Sequence, residues 1–528
     1  MKQTIILVAA LCVLAQGCCT QDGFTALNKE AAKEYLKPIR PASEGRNPCW
    51  NGYAKKFIYA PAFEIAAAEG AAQYRFTVSQ QAGDGSWTFT AKEPTADLSP
   101  IWADITPSMV DLSVVALDAK GTVIDTVYKR SFLRDFPFEG PYNGNVRPYR
   151  EAAIMAALYI HDSKATQSWI TDTLPDMSYS HYTYPNKIVG GLISIESKVA
   201  MLVPAKREEA LAIARNAAKF LINESRPAGD RLEFFPPTYY KDLVASKYDW
   251  NIGKTMTMDA CYAGNAFLDL YDVTGDELYL DRAIKIADTY AKIQNEDGSF
   301  PIKMEFATGE PVNGVCAMLH PVMNYLRRLE SGYGTTAYEQ TLCKAEKWMK
   351  EVALECFDLT GQFEDVNIAD VHPYENLTNC TACPYASYIL RSNPTPADIE
   401  DARDLIRMSE DQFVHWNSLP NENGIRDIAA PCVFEQHRYQ MPVDNSSCNV
   451  ANAYLDLYEQ TGDKLAFAKA KTLIDNLTVV QDPTDGKIPT TWRIYKPEKN
   501  KTRSFWYNCS SASITTLLRM AELTGENS

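Results

Sequence analysis

Asn265-Ala-Phe-Leu-Asp-Leu-Tyr271, with Thr274-Gly275-Asp276 just behind it, recurs almost letter for letter as Asn452-Ala-Tyr-Leu-Asp-Leu-Tyr458 with Thr461-Gly462-Asp463. A worn third copy ends at Leu523-Thr524-Gly525-Glu526. The three glycines lie 187 and then 63 residues apart, so the first gap holds three units of about 62 residues. Each copy reads as a helical hairpin. Ala263, Phe267, Leu270 and Tyr271 fall on one side of a first helix. Gly275 suits a left-handed helix end, and Asp276 suits the cap of the next helix. Tyr279 to Ile293 is then a second amphipathic helix, with Leu280, Ala283, Ile284, Ala287 and Tyr290 in register. Asp297-Gly298 and Asp485-Gly486 mark the turns that close two of the units.

Projecting the period along the chain places further breaks near Asp162-Ser163, Pro204-Ala205, Gly332 to Gly334 and Ser392 to Pro396. The expectation is six hairpins from about Pro148 to Leu477, and a seventh first helix from Ser510 to Thr524 that lacks an outer partner unless the helix around Ala26 to Leu36 supplies one. A single hairpin cannot bury its own apolar face, so neighbours must stack. Val189 to Val203 and Cys316 to Leu326 are apolar or small nearly all round, as helices buried on both sides are. The predicted fold is mainly α, an (α/α)6 toroid of helical hairpins over residues 136–528. Lys56 to Lys129 has a different texture: four stretches rich in β-branched and aromatic residues are separated by Gly/Asp turns, which predicts a β-sandwich within residues 51–135. Residues 19–50 read as an extension with a short helix. The sandwich is expected to cap the ring, with sugar binding as the other role open to it.

The N-terminus carries Lys2, an apolar run from Thr4 to Ala15, then Gln16-Gly17-Cys18-Cys19, which predicts a signal peptide over residues 1–18. Leu14-Ala15-Gln16-Gly17-Cys18 resembles a loose bacterial lipoprotein box, with Cys18 as the lipidated residue. The expected location is the outer membrane or periplasm of a Gram-negative bacterium, with the membrane touched only through that anchor. The net charge of −15 argues against nucleic acid, which calls for a basic face. No cofactor or metal is expected, and a monomer is. Cys380-Thr-Ala-Cys383 is a lone CxxC, for which Cys432 and His437 are the tempting further ligands. Cys261, Cys316, Cys380, Cys448 and Cys509 all stand near the start of a first helix, as small apolar residues in a crowded ring do.

In a ring of hairpins, the connections between hairpins share one face and the turns within hairpins share the other. Here the turns are short and plain, whereas the connections are long and rich in aromatic, acidic and basic residues. That mixture on one rim is the composition of a sugar cleft, since aromatic faces stack on pyranose rings and polar groups bond hydroxyls. A signal, a β-domain and a six-hairpin ring decorated on one face resemble the six-hairpin glycosidase superfamily. Nearest in character are unsaturated glucuronyl hydrolase-like enzymes and bacterial lipoproteins of glycan-degrading systems. The resemblance covers about residues 140 to 525 and is architectural. It implies a secreted carbohydrate-active enzyme that takes an oligosaccharide or polysaccharide, most simply a glycoside hydrolase, and it transfers no catalytic residue.

Candidates follow from the residues themselves. The densest constellation is Glu364, Asp365, Asp370, His372, Tyr374 and Glu375, just before a first helix. Glycoside hydrolysis needs one carboxyl kept protonated and one ionised. Glu375 is expected to be the proton donor through desolvation, with Asp365, Glu364 or Asp259 as its partner carboxylate. Asp259 also suits a plain helix cap. His372 and Tyr374 together would suit a lyase or epimerase. Glu435, His437 and Arg438 would recognise a uronate through a charged contact or order their own loop. Trp250, Trp492, Trp506 and Tyr507 are the expected stacking residues, with Arg493 and His181 beside them in the same loops. His161, His320 and His415 read as structural. A non-catalytic glycan-binding lipoprotein remains the third reading.

Overall fold

The computed structural model describes residues 21–41, 45–240, 246–362, 372–418, 429–492 and 505–526. The chain begins with α1 (Gln21–Glu34), β1 (Cys49–Trp50), β2 (Lys56–Phe57), β3 (Ala62–Phe63), β4 (Gln73–Gln80) and β5 (Ser86–Ala91). It continues through α2 (Ser99–Trp102), β6 (Ser108–Leu117) and β7 (Val123–Arg134). The four sequence stretches become β4 to β7, joined with β2 into one five-stranded sheet of order β2-β7-β6-β4-β5. Antiparallel pairs run from β5 to β7, while β2 lies parallel to β7 at the edge. A two-residue parallel pair, β1 with β3, stands beside it. Alternation decides which face is buried. Tyr74, Phe76 and Val78 of β4 point inward with Val110, Leu112 and Val114 of β6. Phe57, Phe63, Trp102 and Phe132 pack edge to face or tilted beneath them.

The helical part comprises α3 (Tyr149–His161), α4 (Lys164–Gln167), α5 (Gly190–Leu202), α6 (Arg207–Glu224), then β8 (Lys254–Met256), α7 (Ala260–Thr274) and α8 (Glu277–Ile293). After β9 (Lys303–Glu305) come α9 (His320–Tyr333), α10 (Glu339–Trp348), α11 (Asn379–Arg391) and α12 (Pro396–Phe413). The last elements are β10 (Val414–His415), β11 (Cys432–Gln436), β12 (Tyr439–Pro442), α13 (Asp444–Thr461), α14 (Lys464–Val480) and α15 (Tyr507–Thr524). Helices α5, α7, α9, α11, α13 and α15 touch in that order, and α15 touches α5, so six inner helices close a ring. Five of them pair with the outer helix that follows in sequence. The sixth, α15, pairs with α3 from the other end of the helical region.

The expected count is therefore corrected. The ring holds six hairpins and no seventh, because Tyr149–His161 is an outer helix and completes the last hairpin. The helix α1 lies elsewhere, against α14, where Glu34 meets Lys469 at 3.0 Å. At the closing seam, Gly191 of α5 lies so near α15 that a Cβ there would stand 3.0 Å from the backbone of Asn508.

The repeated motif now has a mechanical meaning. Arg328 of α9 reaches back to the carbonyl of Asn265 and, at 2.8 Å, to Asp269 of α7. Arg519 of α15 does the same to Asn452 and, at 2.6 Å, to Asp456 of α13. The motif's Asn and Asp thus clamp one inner helix to the next. Gly275 and Gly462 end their helices at φ of 66° and 75°, and the following Asp276 and Asp463 cap α8 and α14.

The sheet is docked to the ring by buried polar contacts. The Asp411 carboxylate at the end of α12 accepts from the backbone N–H of Ile58 and Tyr59, at 2.5 and 2.8 Å. Glu410, fully buried, accepts from Tyr35, Tyr59, Tyr454 and Trp416 and pairs with Lys469 at 2.8 Å. Each donor comes from a different segment, so this carboxylate ties the N-terminal region to two outer helices. No described helix is long and apolar enough to cross a membrane.

Candidate active site

The long connections and the N-terminal ends of the inner helices share one face of the ring, as the loop asymmetry predicts. A cavity of about 600 Å³ opens there. Every inner helix contributes to it from its first turns: Gly190 and Ser194, Cys261 and Asn265, His320 and Asn324, Cys380 and Pro384, Asn445 and Asn449, Asn508 and Cys509. Small and amide side chains at these positions let six helices converge while leaving a polar hollow. Helix N-termini carry unpaired N–H groups and positive dipole ends, so the hollow favours oxygen-rich or anionic ligands.

Glu435 at the end of β11 stands on the cavity wall, with Tyr262, Tyr439 and Trp506 as its aromatic surfaces. Trp506 is half-buried and stacks on His181 at 4.1 Å between ring centroids, so His181 backs the tryptophan. A smaller recess of about 90 Å³ borders the cavity. Asp259, Lys187, Met258, His320 and Gln362 line it, and Lys187 and His320 belong to both spaces. Burial holds the His320 imidazole neutral, with its pKa down at about 3. Behind the wall, Asp444 opens α13 with a fully buried carboxyl that takes hydrogen bonds from Asn445 N–H and the Ser513 hydroxyl. Burial first, with Glu435 nearby adding to it, pushes Asp444 up to about 8.

A second cavity of about 790 Å³ lies between the sheet and the ring. Glu375, His437 and Arg438 line it, together with Tyr53, Lys55, Lys56, Gln412, Phe413 and His415. The β11–β12 hairpin separates the two spaces, and its Gln436 and Tyr439 face both. The expected single mouth is therefore two. Glu435 and Trp506 line the ring cavity, Asp259 its recess, and Glu375, His437 and Arg438 the junction cavity.

Several expected roles change with this placement. Glu375 was expected to hold its proton, yet Arg438 bonds its carboxylate at 2.7 Å and draws its pKa below the ordinary value. That is the opposite of what a proton donor at neutral pH requires. His372 and Tyr374 precede it in the turn before α11 and line neither space; the backbone N–H of His372 donates to Glu375, and that of Tyr374 to Asp358. Trp492 is 1 % exposed and packs in the core, its indole N–H turned to the Ala429 carbonyl. Tyr507 is buried, stacks on Tyr179 at 4.2 Å and shares its hydroxyl with Ser163. Trp250 lies just before β8 and lines none of these cavities. Glu364, Asp365, Asp370, Arg493 and Cys18 lie outside the described residues.

Sequence reading missed His320, Lys187 and the cavity asparagines. His320 precedes Pro321 at a helix start, a signal of an inner-helix N-terminus on the loop face. The CxxC thiols part company: Cys380 faces the ring cavity and Cys383 is buried. All described cysteines are free, and no three His, Cys, Asp or Glu side chains among the described residues are grouped to hold a metal ion.

No protein-family profile matches the sequence, and no curated protein matches it. Solved structures do. A cellobiose 2-epimerase from Spirochaeta thermophila superposes with a TM-score of 0.50 at 11% identity, over 71% of this chain and 98% of that one. The shared feature is the fold, a closed ring of six helical hairpins. A family 76 glycoside hydrolase from a bovine Bacteroides thetaiotaomicron strain gives 0.48 at 10% identity, over 85% and 93% of the two chains. An unsaturated glucuronyl hydrolase specific for heparin gives 0.45 at 12%, over 71% and 98%. At these identities the likeness is one of six-hairpin architecture, so chemistry has to be argued from the side chains.

Proposed function

We propose that the chain is a carbohydrate-active enzyme, a glycoside hydrolase that works in the ring cavity. One observation carries this reading: a sugar-sized polar hollow built from six helix N-termini holds Glu435 on its wall, aromatic faces around it, and Asp259 in a recess beside it. Hydrolysis calls for a carboxylic acid at the leaving oxygen and a second carboxylate across the bond. Glu435, on the open wall, is assigned the proton donor. Asp259 is assigned the partner, since its recess of about 90 Å³ has room for a few waters beside the carboxylate. That division of space supports a mechanism in which the partner activates water and the anomeric configuration inverts. Trp506, Tyr262 and Tyr439 supply stacking surfaces. The substrate class is a complex glycan, with uronate-containing chains the first to test. Export with a lipid anchor at Cys18 belongs to the same proposal, and radiolabelled palmitate incorporation lost in Cys18→Ala tests it.

The decisive experiment is a product profile over neutral and uronate-containing oligosaccharides with the parent, Glu435→Gln and Asp259→Asn. New reducing ends with the parent, and a loss of about 10³-fold or more in both variants, are expected. Unchanged turnover in either variant removes that residue from the mechanism. A second reading, epimerisation or β-elimination, is favoured by His320, a neutral imidazole facing both cavity and recess. It is separated from hydrolysis by an isomerised sugar or a near-ultraviolet chromophore in place of new reducing ends.

A further inference from the structure

The junction cavity is built from two parts of the chain that the ring does not need to bring together. Gly52, Tyr53, Lys55 and Lys56 come from the segment entering the sheet, Gln412, Phe413 and His415 from the end of α12 and β10, and Phe434 with Gln436 to Pro442 from the β11–β12 hairpin. Packing between sheet and ring would normally close such a seam. Here it stays open at about 790 Å³, larger than the ring cavity.

Its chemistry runs against the rest of the molecule. In a chain of net charge −15, three cations, Lys55, Lys56 and Arg438, line this space, and among the described residues Glu375 is the one carboxylate that lines it with them. Lys56 is held inward by the buried Asp135 at 3.1 Å. Lys55 is exposed at the rim. Arg438 meets Glu375 in an ion pair whose side chains are 40 % and 24 % exposed. Exposed pairs of this kind are weak, so a ligand carboxylate competes for the same guanidinium at small cost. Tyr53 and Tyr439 are 43 % and 41 % exposed, rare values for large side chains here, and both line this cavity. Phe413, Phe434 and Met441 form its apolar floor. His437 is kept neutral by burial, its pKa down at about 4, and its Nε2 lies 3.2 Å from the Gln412 side-chain oxygen, while the Gln412 amide nitrogen donates to the Lys56 carbonyl and the Asp411 carboxylate, so the two side chains brace one another in the cavity wall.

We propose that the junction cavity is a second carbohydrate-binding site, distinct from the ring cavity, that takes an acidic sugar residue. Tyr53 and Tyr439 bear on the pyranose faces, Gln412 and His437 hold the wall behind them, and Lys55 with Arg438 receives the carboxylate. Glu375 is the gate on Arg438 in this site. The site stands on its own geometry and does not depend on the ring cavity being catalytic.

The test is binding, measured by titration calorimetry on the whole chain with three uronate probes (glucuronic acid, digalacturonate and a heparin-derived unsaturated disaccharide) against cellobiose and acetate. At least one uronate probe should bind, cellobiose more weakly and acetate not measurably, with the affinity falling as salt rises. Tyr53→Ala combined with Lys55→Gln, both exposed positions, should weaken that probe about tenfold or more. Glu375→Gln should strengthen it a few-fold by releasing Arg438. Glu435→Gln should leave it unchanged, because that residue faces the other cavity. Failure of all three uronates to bind overturns the proposal. So does binding that survives the Tyr53/Lys55 change or disappears with Glu435→Gln, and acetate binding as tightly as the uronates reduces the site to a bare anion contact. None of these outcomes depends on whether the ring cavity turns over a substrate.

Discussion

Asp444 offers a sharp test of how the cavity wall is built. Its carboxyl is wholly buried at the start of α13, and its pKa stands at about 8 against an ordinary 3.8. The folded state therefore holds the proton where the unfolded chain releases it. Because the folded value is the higher one, this group's contribution to stability is fully present at about pH 4 and below. It declines through the window between the two values and is exhausted above about pH 8. Within the window the slope is about 1.4 kcal/mol per pH unit, so the step from pH 5 to pH 8 removes at most about 4 kcal/mol. With an unfolding entropy of about 2 cal/mol/K per residue, a cooperative unit of 528 residues loses roughly 1 °C for each kcal/mol, so the melting temperature falls by up to about 4 °C. Asp444→Asn keeps the volume and can still accept from Asn445 N–H and bond Ser513. The assay is thermal melting of parent and variant from pH 5 to pH 8.5. The difference between them isolates this carboxyl from other buried groups that titrate in the same range, such as Asp411, raised to about 6. The variant should gain on the parent steadily up to about pH 8 and then hold level. A constant difference across the range would falsify the assignment of a protonated carboxyl behind the wall.

Two further predictions follow from the same packing. Arg519→Ala cuts the clamp from α15 to Asp456, a carboxylate whose side chain is 1 % exposed and which then keeps, among the described residues, the ion pair with Arg391 at 2.8 Å. A loss of about 1–3 kcal/mol is expected, read as a lower melting point with no change in substrate affinity of the folded fraction. The two tryptophans expected alike from sequence should separate. Trp492→Ala should cost about 3–5 kcal/mol of stability and leave binding alone. Trp506→Ala should weaken sugar binding about tenfold at little cost in stability, and the reverse pattern would contradict the placement of both rings.

The fold was legible because its information is local and repeated. Thr-Gly-Asp states a helix end, a left-handed residue and a cap in three letters, and helices apolar on all sides mark the inner layer. The closure was not legible, since α3 and α15 carry ordinary amphipathic patterns and only their contact in space makes them a hairpin. The site was half legible. Loop composition pointed to the face on which the cavities open and to Glu435, Asp259 and Trp506, which line them, but composition says nothing of partitions. The β11–β12 hairpin that divides the face is formed by five and four residues, and it sends Glu375 and Arg438 to one side and Glu435 to the other. Nor does a Trp in a loop declare whether it points to water. Trp492 sits in a segment that packs beneath Ala429, whereas Trp506, the residue before α15, is half-buried with one side on the core and lines the ring cavity.

The pairing of α3 with α15 governs how the cavity face comes into being. Helix α3 buries Tyr149, Ala152, Ala153, Ala156, Ala157 and Ile160, and its main partner is α15, the last helix of the chain. In turn α15 buries Tyr507, Ile514, Leu517 and Met520. At about 1.5–3 kcal/mol for each large apolar side chain, those four contribute roughly 6–12 kcal/mol, as much as the whole net stability of a typical domain. Trp506, Asn508 and Cys509 arrive with the same helix, so the cavity wall and the closed ring are completed by one step. A chain ending at residue 504 should therefore lose its cooperative melt and bind the dyes that report exposed apolar surface, while keeping much of its helical circular dichroism. If that truncated chain instead melts cooperatively within a few degrees of the parent, the ring is held by its five sequential hairpins alone, and the pairing of α3 with α15 is an accessory contact rather than the closure.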